Sequence, residues 1–189
     1  MAFPIRLIGM RELELRRHGA RAKDADELSP EGRVQAEDVG RTLDATYAAI
    51  FVSPARRAAE TAAWFLRASG QQLPDHAVVP DLASPVEDRW RAAAKAAGSS
   101  RIDAIREQDA GLVDEEGVRL GGAMEELFGR VPEGERALAV GHSPMIEAAV
   151  YALTGEVIEP LAECEGVLLT RTDGDYRTKE LRLPRPETA

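Results

Sequence analysis

The chain has 189 residues, 44% hydrophobic and 30% charged, the balance of an ordinary globular chain long enough to bury a sizeable core in a single domain spanning 1–189. With 33 acidic against 24 basic residues its formal charge is −9, which argues against a nucleic-acid-binding surface or a patch for anionic membranes. A lone cysteine, Cys164, forms no internal disulfide, has no metal-ligating neighbour and fits a reducing, cytoplasmic address.

No apolar run approaches the roughly 20 residues that cross a bilayer. The opening "MAFPIRLIGMRELEL" is broken by Arg6, Arg11, Glu12 and Glu14 and does not read as a signal peptide. Ile5, Leu7 and Gly9 suggest a short extended segment. Leu13 and Leu15, alternating with Glu12, Glu14 and Arg16, predict a strand. It ends in "ELRRHGARAK", where Arg16, Arg17, Arg21 and Lys23 gather around His18. "LSPEGRVQAEDVGRTL" predicts a helix capped by Ser29, with Pro30 in its first turn and Val34, Val39 and Leu43 at helical spacing. "YAAIFVS" is a strand, followed by the Ala-rich helix "PARRAAETAAWFLRASG", which stops at Gly70.

"HAVVPDL" reads as another strand, with His76 exposed before it. From Ser84 to Val131 the composition is helical and divides into "PVEDRWRAAAKAAG" and "DEEGVRLGGAMEELFGRV", with a polar stretch between. "ERALAVGH" is a strand and "SPMIEAAVYALTG" a helix with Ile146, Val150 and Leu153 on one face. "EGVLLTRTDGDYRTKELRL" predicts a hairpin turning at Asp173–Gly174, and 184–189 a frayed tail. Alternating strands and helices imply a three-layer α/β/α sandwich around a mostly parallel sheet.

Ligands in such sheets bind beyond the carboxyl ends of the strands. "RRHG", "SPARRA" and "GHSP" all fall there, so two histidines and several arginines share one rim. Arg56 and Arg57 lie in the first turn of a helix, where the dipole favours anions, so an anion is needed to join them. Backbone N–H groups and guanidinium forks there would cradle phosphate. Neighbouring cations keep His18 neutral and nucleophilic. Phosphate beside it would have its charge offset by Arg17 and Arg57, open to in-line attack with no metal or other cofactor.

"LRRHG", "LSPEGRVQA", "SPARRAAETA" and "GHSP" resemble, in order and spacing, the motifs of the histidine phosphatase superfamily, the phosphoglycerate mutase-like proteins. The resemblance runs from about Leu13 to Leu153. It implies a metal-independent phosphatase with His18 as phosphorylated nucleophile and His142, Arg17, Arg57, Gly19 and Arg21 around the phosphate. Two positions depart from the family. Asp24 stands six residues after His18, where an Asn is common. Ala83 and Ser84 stand where the proton donor is expected, which leaves Glu87, ahead of Asp88, as the substitute acid and disfavours the mutase branch.

Expelling an alkoxide without a donated proton is hard, whereas imidazole leaves readily. The missing acid therefore tilts the expected substrate from a small phosphorylated molecule toward a phosphohistidine-bearing protein. Short bacterial phosphohistidine phosphatases of the superfamily are similar in lacking that acid. Two other readings stand beside this one. One is a catalytically weak phosphate-binding or protein-interaction module on the same fold. The other, a serine hydrolase using Ser53 or Ser143, lacks the Gly-x-Ser-x-Gly setting.

Overall fold

Residues 9–72 and 76–184 are described in the computed structural model. The extended segment expected at Ile5 and Leu7, and residues 185–189 of the expected tail, lie outside them. Strand β1 (Arg11–Arg17) is followed by helix α1 (Pro30–Gly40), β2 (Tyr47–Val52), α2 (Arg56–Ala68) and β3 (His76–Val78). Helices α3 (Glu87–Ala97), α4 (Ile102–Gln108) and α5 (Ala110–Arg130) precede β4 (Arg136–Gly141) and α6 (Met145–Thr154). Strands β5 (Gly166–Thr172) and β6 (Asp175–Leu181) close the chain.

The six strands form one sheet in the order β3-β2-β4-β1-β5-β6. The first four neighbours pair in parallel, while β5 runs antiparallel to β1 and to β6. Positive φ at Asp173 and Gly174 makes the β5–β6 turn the expected Asp-Gly hairpin. One face of the sheet is covered by α1 and α2, through Val39, Ala62 and Phe65 against Ile50, Val52, Leu138 and Val140. On the other face Met124, Phe128, Ile146 and Val150 pack against Leu13, Leu15, Ala137 and Ala139. Among the described residues no helix is long and apolar enough to cross a membrane.

Several local readings need correction. Val34 is 57% exposed, and the buried stripe of α1 is Gly32, Ala36, Val39 and Gly40, because small residues let α1 approach its neighbours closely. The strand at "HAVVPDL" pairs only over His76–Val78; Pro80, with no N–H for the ladder, opens a 3₁₀ turn, Pro80–Leu82. The polar stretch in the middle contains α4, whose Ile102 and Ile105 are buried. Helix α5 starts at Ala110, capped by the Asp109 side chain, which accepts from Leu112 N–H. The two isoleucines of the seven-residue α4 are too few for a periodicity to register.

β1 departs from the alternating pattern in a more telling way. Glu14 and Arg16 alternate with Leu13 and Leu15 as if facing water, yet both are buried, since β1 lies inside the sheet with α1 and α2 over that face. Arg16 donates to Glu14 at 2.8 Å and to the Cys164 carbonyl at 3.1 Å, and Arg136 reaches Glu14 from β4. The charges are thus paired where desolvation would otherwise be costly.

The Ser29 hydroxyl accepts from Gly32 N–H at 3.0 Å, the expected cap. Beyond it the loop after β1 is pressed onto α1. A Cβ on Gly32 would stand 2.0 Å from the Ala20 carbonyl oxygen, and one on Gly19 2.8 Å from the Gly32 carbonyl. Both contacts are with backbone, which has no side-chain freedom to yield. Gly32→Ala should therefore lower stability by about 1–3 kcal/mol, read as a drop in urea midpoint at unchanged m-value.

Candidate active site

The carboxyl ends of β1, β4 and β2 lie side by side, and their backbones are cross-tied. His18 N–H donates to the Gly141 carbonyl at 3.1 Å, and Ser53 N–H to that of Val140 at 3.0 Å. This brings His18 and His142 together, ring centroids 5.1 Å apart and edge to face. A cleft of about 420 Å³ opens there, lined by Arg17, His18, Arg21, Arg57, Glu87 and His142 among others. Of the seven residues to which the resemblance and the missing acid gave a role, His18, His142, Glu87, Arg17, Arg57, Arg21 and Gly19, the last alone does not line it. Its N–H donates to Thr61 Oγ1 and its carbonyl accepts from His18, so it serves the site from behind.

That second contact sets the protonation of His18. A carbonyl has only lone pairs to offer, so Nδ1, 2.7 Å from Gly19 O, carries the proton. Nε2 is left as an acceptor and takes the Arg57 Nε–H at 3.1 Å. The other face of the same guanidinium donates to His142 Nδ1 at 3.2 Å, so His142 Nε2–H donates to Ser53 Oγ at 2.8 Å. This is a serine–histidine contact, but Ser53 is buried and does not line the cleft. With Ser53 as nucleophile the substrate would have no place to sit.

The anion demanded by the two arginines at the start of α2 is already present, and the sequence did not point to it. Asp26 accepts from Arg56 N–H at 2.9 Å and from the Arg57 guanidinium, so the N–H groups expected to cradle phosphate are partly occupied. Arg56 points outward and pairs with Glu27 and Glu60. Arg17 is held by the Leu161 carbonyl at 2.6 Å and by Glu163 at 3.0 Å. Contacts like these span loops and leave no local pattern. The wrong-sign arginine pair was the one signal available.

Glu87 stands in the first turn of α3, the wall of the cleft opposite the sheet rim. That helix is clamped to α5: Arg89 grips Asp109 with two bonds of 2.7 Å, and Trp90 Nε1–H donates to Glu116. Asp88 points away, bonded to Arg91 at 2.6 Å. Ser84 is buried, and its hydroxyl accepts from Val86 N–H at the start of α3. Arg21 reaches the cleft, whereas Lys23 and Asp24 are exposed and do not line it.

Burial is the first cause of the low basicity of both histidines. It lowers His18 to about 4, with the charges of Arg57 and Arg17 acting in the same direction and the Gly19 bond opposing. His142 falls to about 3, through burial and then the proximity of His18 and Arg57. Both imidazoles are therefore neutral at physiological pH. In the unfolded chain they titrate near 6.5, so below that value the unfolded state binds protons the folded state refuses. Stability should fall as pH drops from about 6.5 toward 4, by at most about 1.4 kcal/mol per pH unit for each histidine. Urea titrations at pH 7 and 4.5 should show a smaller loss for His18→Gln than for the parent; equal losses would contradict the buried neutral state.

The profile of the histidine phosphatase superfamily (branch 1) matches residues 12–182. Among curated proteins no sequence matches significantly. Solved structures with the same fold include a phosphoglycerate mutase from Bacillus anthracis, 20% identical, TM-score 0.71, with 92% of this chain and 93% of that one covered. The protein histidine phosphatase SixA complexed with tungstate is 19% identical at TM-score 0.59, covering 90% and 96%. A mycobacterial glucosyl-3-phosphoglycerate phosphatase complexed with VO3 is 21% identical at TM-score 0.62, covering 90% and 98%. With the match spanning β1 through β6, this chain belongs to branch 1 of the histidine phosphatase superfamily, and its activity class is that of a phosphatase.

Proposed function

We propose that the protein hydrolyses a small phosphomonoester through a phosphohistidine formed on His18. The observation that carries this is the bond from His18 Nδ1–H to Gly19 O, which leaves Nε2 unprotonated and accepting from Arg57, on a ring that meets His142 edge to face. Nε2 attacks phosphorus, the bond from phosphorus to the ester oxygen breaks, and that oxygen takes a proton from the Glu87 carboxyl. Water then attacks phosphorus and gives its proton to the Glu87 carboxylate, while the P–N bond returns its electrons to Nε2. Arg17, Arg57 and His142 bind the phosphoryl oxygens, and Arg21 meets the substrate further out. Ser53 supports either tautomer of His142, since its hydroxyl accepts from Nε2–H or donates to a bare Nε2.

The absence of an acid after "PDL" favoured phosphohistidine on a protein as substrate. Glu87 on the cleft wall supports the other class, because it supplies the proton an alkoxide needs. Helix α3 adds Trp90, Arg91 and Ala94 to that wall, which suits a small molecule entering a cleft. Among the structural neighbours, SixA is a protein histidine phosphatase, and others are a phosphoserine phosphatase and a glucosyl-3-phosphoglycerate phosphatase.

Rapid quench with labelled substrate should trap a phosphoenzyme that is labile in acid, persists in base and is missing from His18→Ala. An acid-stable adduct, or one still formed by the variant, would remove His18 from the role. Glu87→Gln should slow an alkyl phosphate by about 10²–10⁴-fold and p-nitrophenyl phosphate, whose leaving group departs unprotonated, far less. Equal slowing of both substrates would make Glu87 a pocket contact. No slowing of either would return phosphohistidine protein as the favoured substrate.

A further inference from the structure

Helix α6 begins three residues after His142 and is apolar along its buried length, with Met145, Ile146, Ala148, Ala149 and Val150 all in the core. In their midst lies Glu147, 1% exposed. An apolar residue of similar size would fill the position without the cost of burying a carboxyl. Its Oε1 accepts two hydrogen bonds, from the Ser143 hydroxyl at 2.5 Å and from Leu161 N–H at 2.8 Å. Its Oε2 is buried with no hydrogen-bond partner among the described residues. Burial pushes the pKa of the carboxyl up, opposed by its two donors and by the charge of Arg17.

The two donors belong to different parts of the site. Ser143 follows His142 and lines the cleft. Leu161 sits at the head of the segment that holds Arg17, whose guanidinium donates to the Leu161 carbonyl at 2.6 Å and to Glu163 at 3.0 Å. The N–H of Leu161 is thus bound by Glu147 while its carbonyl binds Arg17. One buried oxygen joins the helix start that carries His142 to the strap that aims Arg17.

We infer that Glu147 is a positioning residue, fixing Arg17 and His142 relative to each other so that both meet one phosphoryl group. The inference rests on the proposed phosphate-binding role of those two residues. Glu147 touches no substrate; it acts through the Leu161 backbone and Ser143. What the position requires is a double acceptor at one oxygen, which glutamine retains and leucine lacks. Aspartate is a methylene too short to reach both donors from the same backbone.

The test measures kcat and KM for p-nitrophenyl phosphate, and binding of inorganic phosphate by calorimetry, in the full chain and in Glu147→Gln, Glu147→Leu and Glu147→Asp. Urea unfolding of each variant is recorded alongside. Glu147→Gln should stay within about threefold of the parent in every parameter. Glu147→Leu should weaken phosphate binding and raise KM by roughly 10- to 100-fold, the scale of a misplaced binding group. Glu147→Asp, the milder change, should move both in the same direction and keeps the test open if the leucine variant does not fold. A merely structural role would lower kcat through a smaller folded fraction and leave KM and phosphate affinity at parental values; that result would overturn the inference. So would a glutamine variant as impaired as the leucine one. A parent that binds phosphate but turns over no ester, with binding weakened in Glu147→Leu, would sink the proposed reaction and keep the positioning role.

Discussion

Two backbone hydrogen bonds at the end of β4 hold the rim together: the Gly141 carbonyl receives the amide of His18, and the Val140 carbonyl that of Ser53. β4 lies between β1 and β2 in parallel register, so the three chains leave the sheet at one level. Parallel strands reach this arrangement only through crossovers that carry the chain back under a helix. The motif residues thus come from positions as far apart as 18, 57 and 142 and still meet within one cleft. A slip of one residue in either pairing would turn a histidine from the rim to the opposite face.

The site is cationic, though the chain is acidic overall. Arg17 is paired with Glu163, Arg57 with Asp26, and Arg56 with Glu27 and Glu60. Each guanidinium is therefore oriented by the protein's own carboxylates. Ordering a long, flexible cation ahead of time removes part of the entropy cost that binding would otherwise carry. The histidines contribute differently: burial strips them of charge, so they accept and donate as neutral rings among the arginines.

What could be read from the sequence and what could not divide along a physical line. The Ser29 cap, the Asp173–Gly174 hairpin and the strand-end positions of His18 and His142 depend on a few adjacent residues, and each appears in the fold. Val34 was misread because hydrophobic spacing says nothing of which neighbours approach; α1 packs through glycine and alanine. Glu14 and Arg16 looked solvated because alternation cannot tell an edge strand from a central one whose second face is covered. Asp26, Glu163 and Glu147 left no trace in any local pattern, since each acts on a residue many positions away. Glu87 was reached by elimination, and its place on the cleft wall follows from the Arg89–Asp109 clamp, a pairing no spacing announces.

The Asp26–Arg57 pair bears on how a reaction cycle would end. An inorganic phosphate leaving the cleft would not abandon a bare guanidinium, because Asp26 already holds one of its five N–H groups and the two imidazoles hold one each. Departure is then an exchange of one set of acceptors for another, with little desolvated charge stranded at any moment. A site built this way would grip a phosphate less tightly than its count of arginines suggests, and would empty the more readily for it.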